Sequence, residues 1–213
     1  MRIGVIRVVT TTDDDYLNSH GRVIEAEQGV ATVSRCIPDQ PRGVHDAPSF
    51  AAAAEKVADL AVRMERDDAV DALLISCAAD PGLDPARGRV RIPVIGAGSA
   101  AAARALELGD RVGVLDLTAE TPLSVTSVLG GHRVAAIVPD GVTQTHHLRT
   151  ESGQAASVRA AERLIASGAD TIMFACTGMT TIGLAALLRT RVDVPIVDAV
   201  RAGGAAAAAA ARG

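Results

Sequence analysis

Asp71-Ala-Leu-Leu-Ile-Ser-Cys77 and Asp170-Thr-Ile-Met-Phe-Ala-Cys176 are the two stretches on which the fold turns. Each is an aspartate, a nearly unbroken apolar run and a cysteine at the same separation from the acid. An apolar run this short, bounded by turn-forming residues, suits a strand buried on both faces. Working outward, Arg2-Ile-Gly-Val-Ile6 has a counterpart in Arg111-Val-Gly-Val-Leu115, and Ile92-Pro-Val-Ile95 one in Val194-Pro-Ile-Val197. The matched landmarks fall in the same order in both halves. Such long-period self-similarity marks a duplicated structural unit.

Between these landmarks, β-branched runs predict strands at residues 2–9, 31–36, 72–77, 94–97, 111–117, 133–138, 171–176 and 196–197. Helical patterns fall at residues 50–66, 99–108, 122–129, 151–166, 180–189 and 199–211, and the proline-rich segment 37–48 reads as a long surface loop. Buried strands alternating with amphipathic helices give an α/β fold of parallel sheet flanked by helices. The duplication divides it into two pseudo-symmetric lobes: residues 1–98 with 193–213, and residues 99–192. The last strand and helix are expected to return to the first lobe. Ligands of such sheets bind outside the carboxyl ends of the strands, where Cys77 and Cys176 both lie. Lobes that face each other would set the two thiols across a cleft.

Composition narrows the function. There is no Trp, one Tyr and two Phe, and the net charge is -4, so base-stacking platforms and a basic nucleic-acid surface are excluded. No signal-peptide pattern and no apolar run of membrane-spanning length is visible, which points to the cytoplasm and away from a membrane. Three cysteines without a secretion signal argue against a disulfide framework and for reduced thiols. Lys56 is the sole lysine and sits in a helical pattern, so a pyridoxal Schiff base is not expected. No cofactor is expected, and the Ala-rich faces suggest a homo-oligomer. Adjacent His146 and His147 lack acidic or thiol partners at ligand spacing, so no metal site is expected. Gly96-Ala-Gly98 lacks the third glycine of a dinucleotide fingerprint and reads as a turn between the lobes.

Two opposed thiols suit stereochemical inversion of a carbon acid. One thiolate removes a proton, the other thiol delivers one to the opposite face, and the roles exchange in reverse. A free thiol titrates near 8.5, so either protonation state is accessible near neutrality. The loops after the cysteines, Ala78-Ala79-Asp80 and Thr177-Gly178-Met179, carry small residues and backbone amides that can approach a substrate. A helix running through Leu188, capped by Thr180 or a neighbour, would add its free N–H groups. Asp80 either orients its loop or merely ends the strand. Cys36 has no counterpart in the second half and reads as structural.

Cys77-Ala-Ala-Asp-Pro-Gly-Leu-Asp84, Ile92-Pro-Val-Ile-Gly-Ala-Gly-Ser-Ala-Ala101 and Ala175-Cys-Thr-Gly-Met179 together resemble the aspartate/glutamate/hydantoin racemase superfamily, the first loop being most similar to hydantoin racemase. The resemblance covers most of the chain. It implies a two-lobed fold, no cofactor, and Cys77 with Cys176 as the acid–base pair. It also implies that the loops near residues 7–11 and 117–118 hold the substrate, which brings in Arg7, Thr10, Thr11 and Thr118. The substrate would be a small carbon acid: a hydantoin, an amino acid or a relative. Arg7-Val-Val-Thr10 replaces the Asn-Pro-Asn turn usual in hydantoin racemases. Ala78-Ala79 replaces the Asn-Thr of glutamate racemases, so the anchors for glutamate are missing. Arg7 could fork onto a substrate carboxylate or pair with an acid at the lobe boundary. A maleate-type cis–trans isomerase using two cysteines, and a two-lobed metabolite-binding protein without turnover, are the competing readings.

Overall fold

The computed structural model describes residues 1–213, apart from the side chains of Thr145 and His146. Its strands are β1 (Arg2–Arg7), β2 (Ala31–Cys36), β3 (Ala72–Ser76), β4 (Val94–Gly96), β5 (Val112–Leu115), β6 (Arg133–Ile137), β7 (Thr171–Phe174) and β8 (Ile196–Val197). They form two four-stranded sheets, ordered β2-β1-β3-β4 and β6-β5-β7-β8. Every strand pair is parallel. The two sheets thus share one topology, as a duplication requires.

The motif aspartates explain themselves. Asp71 accepts from the backbone N–H of Arg2 at 2.7 Å, and its own N–H donates to the Arg2 carbonyl at 2.8 Å. Asp170 repeats this at Arg111, at 3.1 and 2.9 Å. Each acid therefore clamps the start of the first strand of its sheet to the start of the third. Pro93 and Pro195, which lack an N–H to contribute, serve by their carbonyls: Leu73 and Ile172 each donate to them at 2.9 Å.

The helices are α1 (Asp14–Gln28), α2 (Ala47–Asp67), α3 (Leu83–Arg89), α4 (Ala97–Leu106), α5 (Leu123–Leu129), α6 (Glu151–Ala166), α7 (Gly178–Thr181), α8 (Leu184–Arg189) and α9 (Ala199–Ala210). Helix α1 is absent from the sequence reading. Its N-terminus is well marked, because Asp13 caps the N–H of Tyr16 and Asp14 and Asp15 sit in the positive first turn. Asn18, Ser19 and Gly21 hide it by lowering helix propensity. Helix α2 starts at Ala47 rather than 50, since Pro48 occupies its first turn and Asp46 with Ser49 forms a capping box. The helix expected over residues 180–189 is broken at Gly183, which turns left-handed at φ 66°.

Contacts divide the chain into two compact units, residues 1–97 with 200–213, and residues 98–199. In the first, Ile6, Leu73 and Ile75 pack on Val57, Ala61 and Met64 of α2. In the second, Leu115, Ile172 and Phe174 pack on Ala160, Ala161 and Leu164 of α6. The expectation that strand 196–197 returns to the first lobe is wrong. It pairs with β7 in the second sheet, and only α9 goes back, its Arg201 paired with Glu27 of α1. Conversely, α4 follows a strand of the first sheet but belongs almost wholly to the second unit. Among the described residues no helix is long and apolar enough to cross a membrane.

Candidate active site

Both cysteines lie just past their strands, Cys77 one residue beyond β3 and Cys176 two beyond β7, rather than within them. Each is half-buried, and none of the three cysteines is in a disulfide. Each carbonyl closes the same tight turn, accepting from Asp80 N–H at 3.0 Å after Cys77 and from Met179 N–H at 3.2 Å after Cys176. Cys77 packs on the α2 side of its sheet and Cys176 on the α6 side of its own. The thiols therefore occupy equivalent positions in the two units.

The supports beneath the loops differ. Asp80 is 5% exposed and holds a left-handed φ of 50°, uncommon for a residue with a Cβ. Its carboxyl group presses on Gly96 at the end of β4, where any Cβ would strike it. Asp80 thus packs the Cys77 loop against the end of the fourth strand. In the second unit the equivalent strand-end position, after Val194-Pro-Ile-Val197, is Asp198. Its carboxylate accepts from the Thr180 hydroxyl at 2.7 Å, both residues being buried. Here the carboxylate stands on the strand end and the loop supplies the hydroxyl. Thr180 is therefore no helix cap; the residue before α7 is Thr177, whose side chain makes no capping bond.

Arg7 and Asp116 stand at equivalent ends of β1 and β5, one residue past the matched repeats, and each is 2% exposed. Arg7 turns inward. Its Nη1 donates to the carbonyls of Tyr16 and Leu17 at 2.7 and 3.0 Å and to Ser19 Oγ at 3.1 Å, while its guanidinium lies 4.8 Å from the Tyr16 ring centre. Burial pushes its pKa below the ordinary arginine value. The guanidinium holds α1 on the sheet, and among the described residues no acid is paired with it. Beside it, Ser76 Oγ meets His20 Nδ1 at 2.7 Å, both buried. Asp116 has the opposite character. Its Oδ2 accepts from Thr121 Oγ1 at 2.6 Å, and Thr121 accepts in turn from Arg133 at 3.0 Å. Its Oδ1 is buried with no partner among the described residues. Burial pushes the carboxyl up to about 6, partly offset by the Thr121 bond and the Arg133 charge. Extending each repeat by one residue, to Arg7/Asp116 and Gly96/Asp198, would have singled out these pairs from the sequence.

Other expected substrate contacts have structural employment. Thr10 Oγ1 donates to the Ile37 carbonyl and accepts from Gln40 N–H, both at 2.7 Å, stitching the first loop to the segment after β2. Thr11 accepts from Asp13 N–H at 3.1 Å, and its carbonyl meets Cys36 Sγ at 3.6 Å. Thr118 donates to the Glu120 carbonyl at 2.9 Å. Met179 is a fully buried core residue, so only its backbone belongs to the Cys176 loop. Ala78 and Gly178 are buried, whereas Ala79 and Thr177 are half-buried beside the thiols. Gly98 lies in the first turn of α4 rather than in an inter-lobe turn. His147 lies in a short 3-10 turn, and the side chain of His146 falls outside the described residues. Among the described residues no cluster of His, Cys, Asp and Glu is arranged to hold a metal.

A family model described as Asp/Glu/Hydantoin racemase matches residues 3–207. The chain belongs to this family. A hydantoin racemase of Paenarthrobacter aurescens is 27% identical over 146 residues, which are 66% of this chain and 61% of that protein, so the match spans less than two thirds of the relative. The solved allantoin racemase of Klebsiella pneumoniae superposes with a TM-score of 0.83 at 25% identity, over 98% of this chain and 86% of that one. That of Pseudomonas fluorescens gives 0.83 at 26%, over 100% and 91%. Arylmalonate decarboxylase shares the fold, with a TM-score of 0.68 at 17% identity over 100% of this chain and 93% of that one.

Proposed function

We propose that the protein is a cofactor-independent racemase or epimerase of a small carbon acid, with Cys77 and Cys176 as acid and base. The observation that carries this reading is the equivalence of the two thiols. Both follow the third strand of a like-ordered sheet, both are half-buried, and both open a turn closed by an i+3 amide. Two-base inversion needs two groups of like acidity that exchange roles, and nothing suits that better than the same residue in the same local frame. Each proton transfer assisted in this way is typically worth about 10²–10⁴-fold. Membership of a racemase family, and the likeness to hydantoin and allantoin racemases, support a ureide-type substrate over glutamate.

In the forward direction one thiolate takes the proton from the stereogenic carbon, and the electron pair delocalises into the neighbouring carbonyl. The opposite thiol then returns a proton to the other face, leaving its own thiolate. Enantiopure allantoin, 5-substituted hydantoins and amino acids, followed by polarimetry in heavy water, test this. The expected result is decay of rotation for a ureide with deuterium entering at the inverted carbon. Loss of rotation without deuterium, or no change across the panel, would contradict it.

A further inference from the structure

Burying an ionisable oxygen without a hydrogen-bond partner is costly, and such groups in native folds call for an explanation. Asp116 presents one at the carboxyl end of β5. Its N–H continues the ladder to the Ile137 carbonyl at 2.9 Å, so the backbone there is fixed. Its Oδ2 is held by Thr121, which is held by Arg133, so the carboxyl plane is oriented as well. Only Oδ1 has no donor among the described residues. Leu115 pairs with Phe174 in the β5–β7 register, which sets Asp116 beside Ala175, the residue before Cys176. Ala175, with no polar group, stands where the first unit has Ser76 and its histidine partner.

We propose that Asp116 is a specificity-determining residue whose Oδ1 accepts a neutral N–H of the substrate, making amides, imides and ureides the preferred class. This rests on the reading of the Cys176 end of the second sheet as part of the substrate site. An oriented carboxyl with one oxygen satisfied and the other bare calls for a single donor. A free amino acid would bring a carboxylate bonded to the same carbon, and the buried acid would repel it. The raised pKa of Asp116 agrees, since the positive charge of Arg133 only partly offsets the desolvation. A cyclic ureide supplies the N–H without adding a negative charge.

The test compares an N–H hydantoin with its N-methylated counterpart in the full-length protein and in Asp116→Ala. Binding is read by calorimetry and turnover by deuterium exchange at the carbon acid. A charge-assisted hydrogen bond in a dry site corresponds to about 10- to 100-fold. The wild type is expected to prefer the N–H ligand, and Asp116→Ala to lower that preference ratio about 10-fold or more. Asp116→Asn, which keeps the shape, is expected to lower it by less, and thermal melts confirm that both variants fold. An unchanged preference ratio in Asp116→Ala, a wild type that binds both ligands equally, or one that binds neither overturns the inference. Binding with the expected ratio but no deuterium exchange would instead refute the racemase reading and leave the Asp116 contact standing.

Discussion

The two units share a backbone plan and differ in the polar groups beneath it. Both clamp the first strand with an aspartate, both start the fourth strand from a proline carbonyl, and both turn sharply after the cysteine. Under the first strand, however, one unit carries a buried cation and the other a buried acid: Arg7 against α1, Asp116 against Thr121. The packing behind each cysteine loop differs likewise, with a loop carboxyl group against a glycine in one unit and a strand-end carboxylate bonded to a loop hydroxyl in the other. The frame is under one set of constraints, strand pairing and core packing, which duplication leaves intact. The polar row answers to local chemistry, so the copies diverge there.

The largest effects are expected where the units agree. Cys77→Ala and Cys176→Ala should each lower racemisation by about 10²–10⁴-fold or more, and the double variant should be little worse than either single one, because the pair acts as a unit. Polarimetric rates of the three variants check this; independent, multiplying losses would break the equivalence. At the buried cation, Arg7→Leu leaves the carbonyls of Tyr16 and Leu17 without their donor. A loss of about 3 kcal/mol in chemical denaturation is expected.

Asp116 should respond with the opposite sign. A carboxyl raised from 3.8 to about 6 on folding adds stability that is complete below the lower value and is lost as pH climbs through the upper one. Between about pH 4 and about pH 7 the wild type should therefore lose about 2 kcal/mol relative to Asp116→Asn. Urea melts of both proteins at the two pH values decide it, and parallel stability curves would remove Asp116 as a desolvated acid. Gly96→Ala pushes a methyl group into the Asp80 carboxyl group and should cost about 1–3 kcal/mol, read from the same melts. Smallest of all, Arg163→Ala breaks an exposed pair with Asp140 at 3.5 Å and should change stability by less than about 1 kcal/mol.

The fold was legible because its signals are periodic. Apolar runs at residues 72–76 and 171–174 are buried throughout, and their flanking landmarks repeat. Helix α1 escaped because weak helix formers obscure a good cap, and residues 180–189 misled because a glycine break looks like any helical glycine in one dimension. The last strand and helix, expected to return together, part company in the structure: β8 stays paired with β7 while α9 joins the first unit, a split that two short β-branched residues do not announce. At the candidate site the cysteines and their loops could be read from the repeat. The identity of Arg7 as a helix anchor and of Thr10 as a stitch could not, because burial and partner choice are tertiary facts.

The central claim is that one thiol serves each face of the reacting carbon. Its most direct test is exchange of the carbon-bound proton with heavy water, followed by NMR, in the two single-cysteine variants supplied with each enantiomer of an allantoin or 5-substituted hydantoin. The account predicts that Cys77→Ala exchanges one enantiomer and Cys176→Ala the other. Both variants exchanging the same enantiomer, or both retaining exchange of the two, would contradict it.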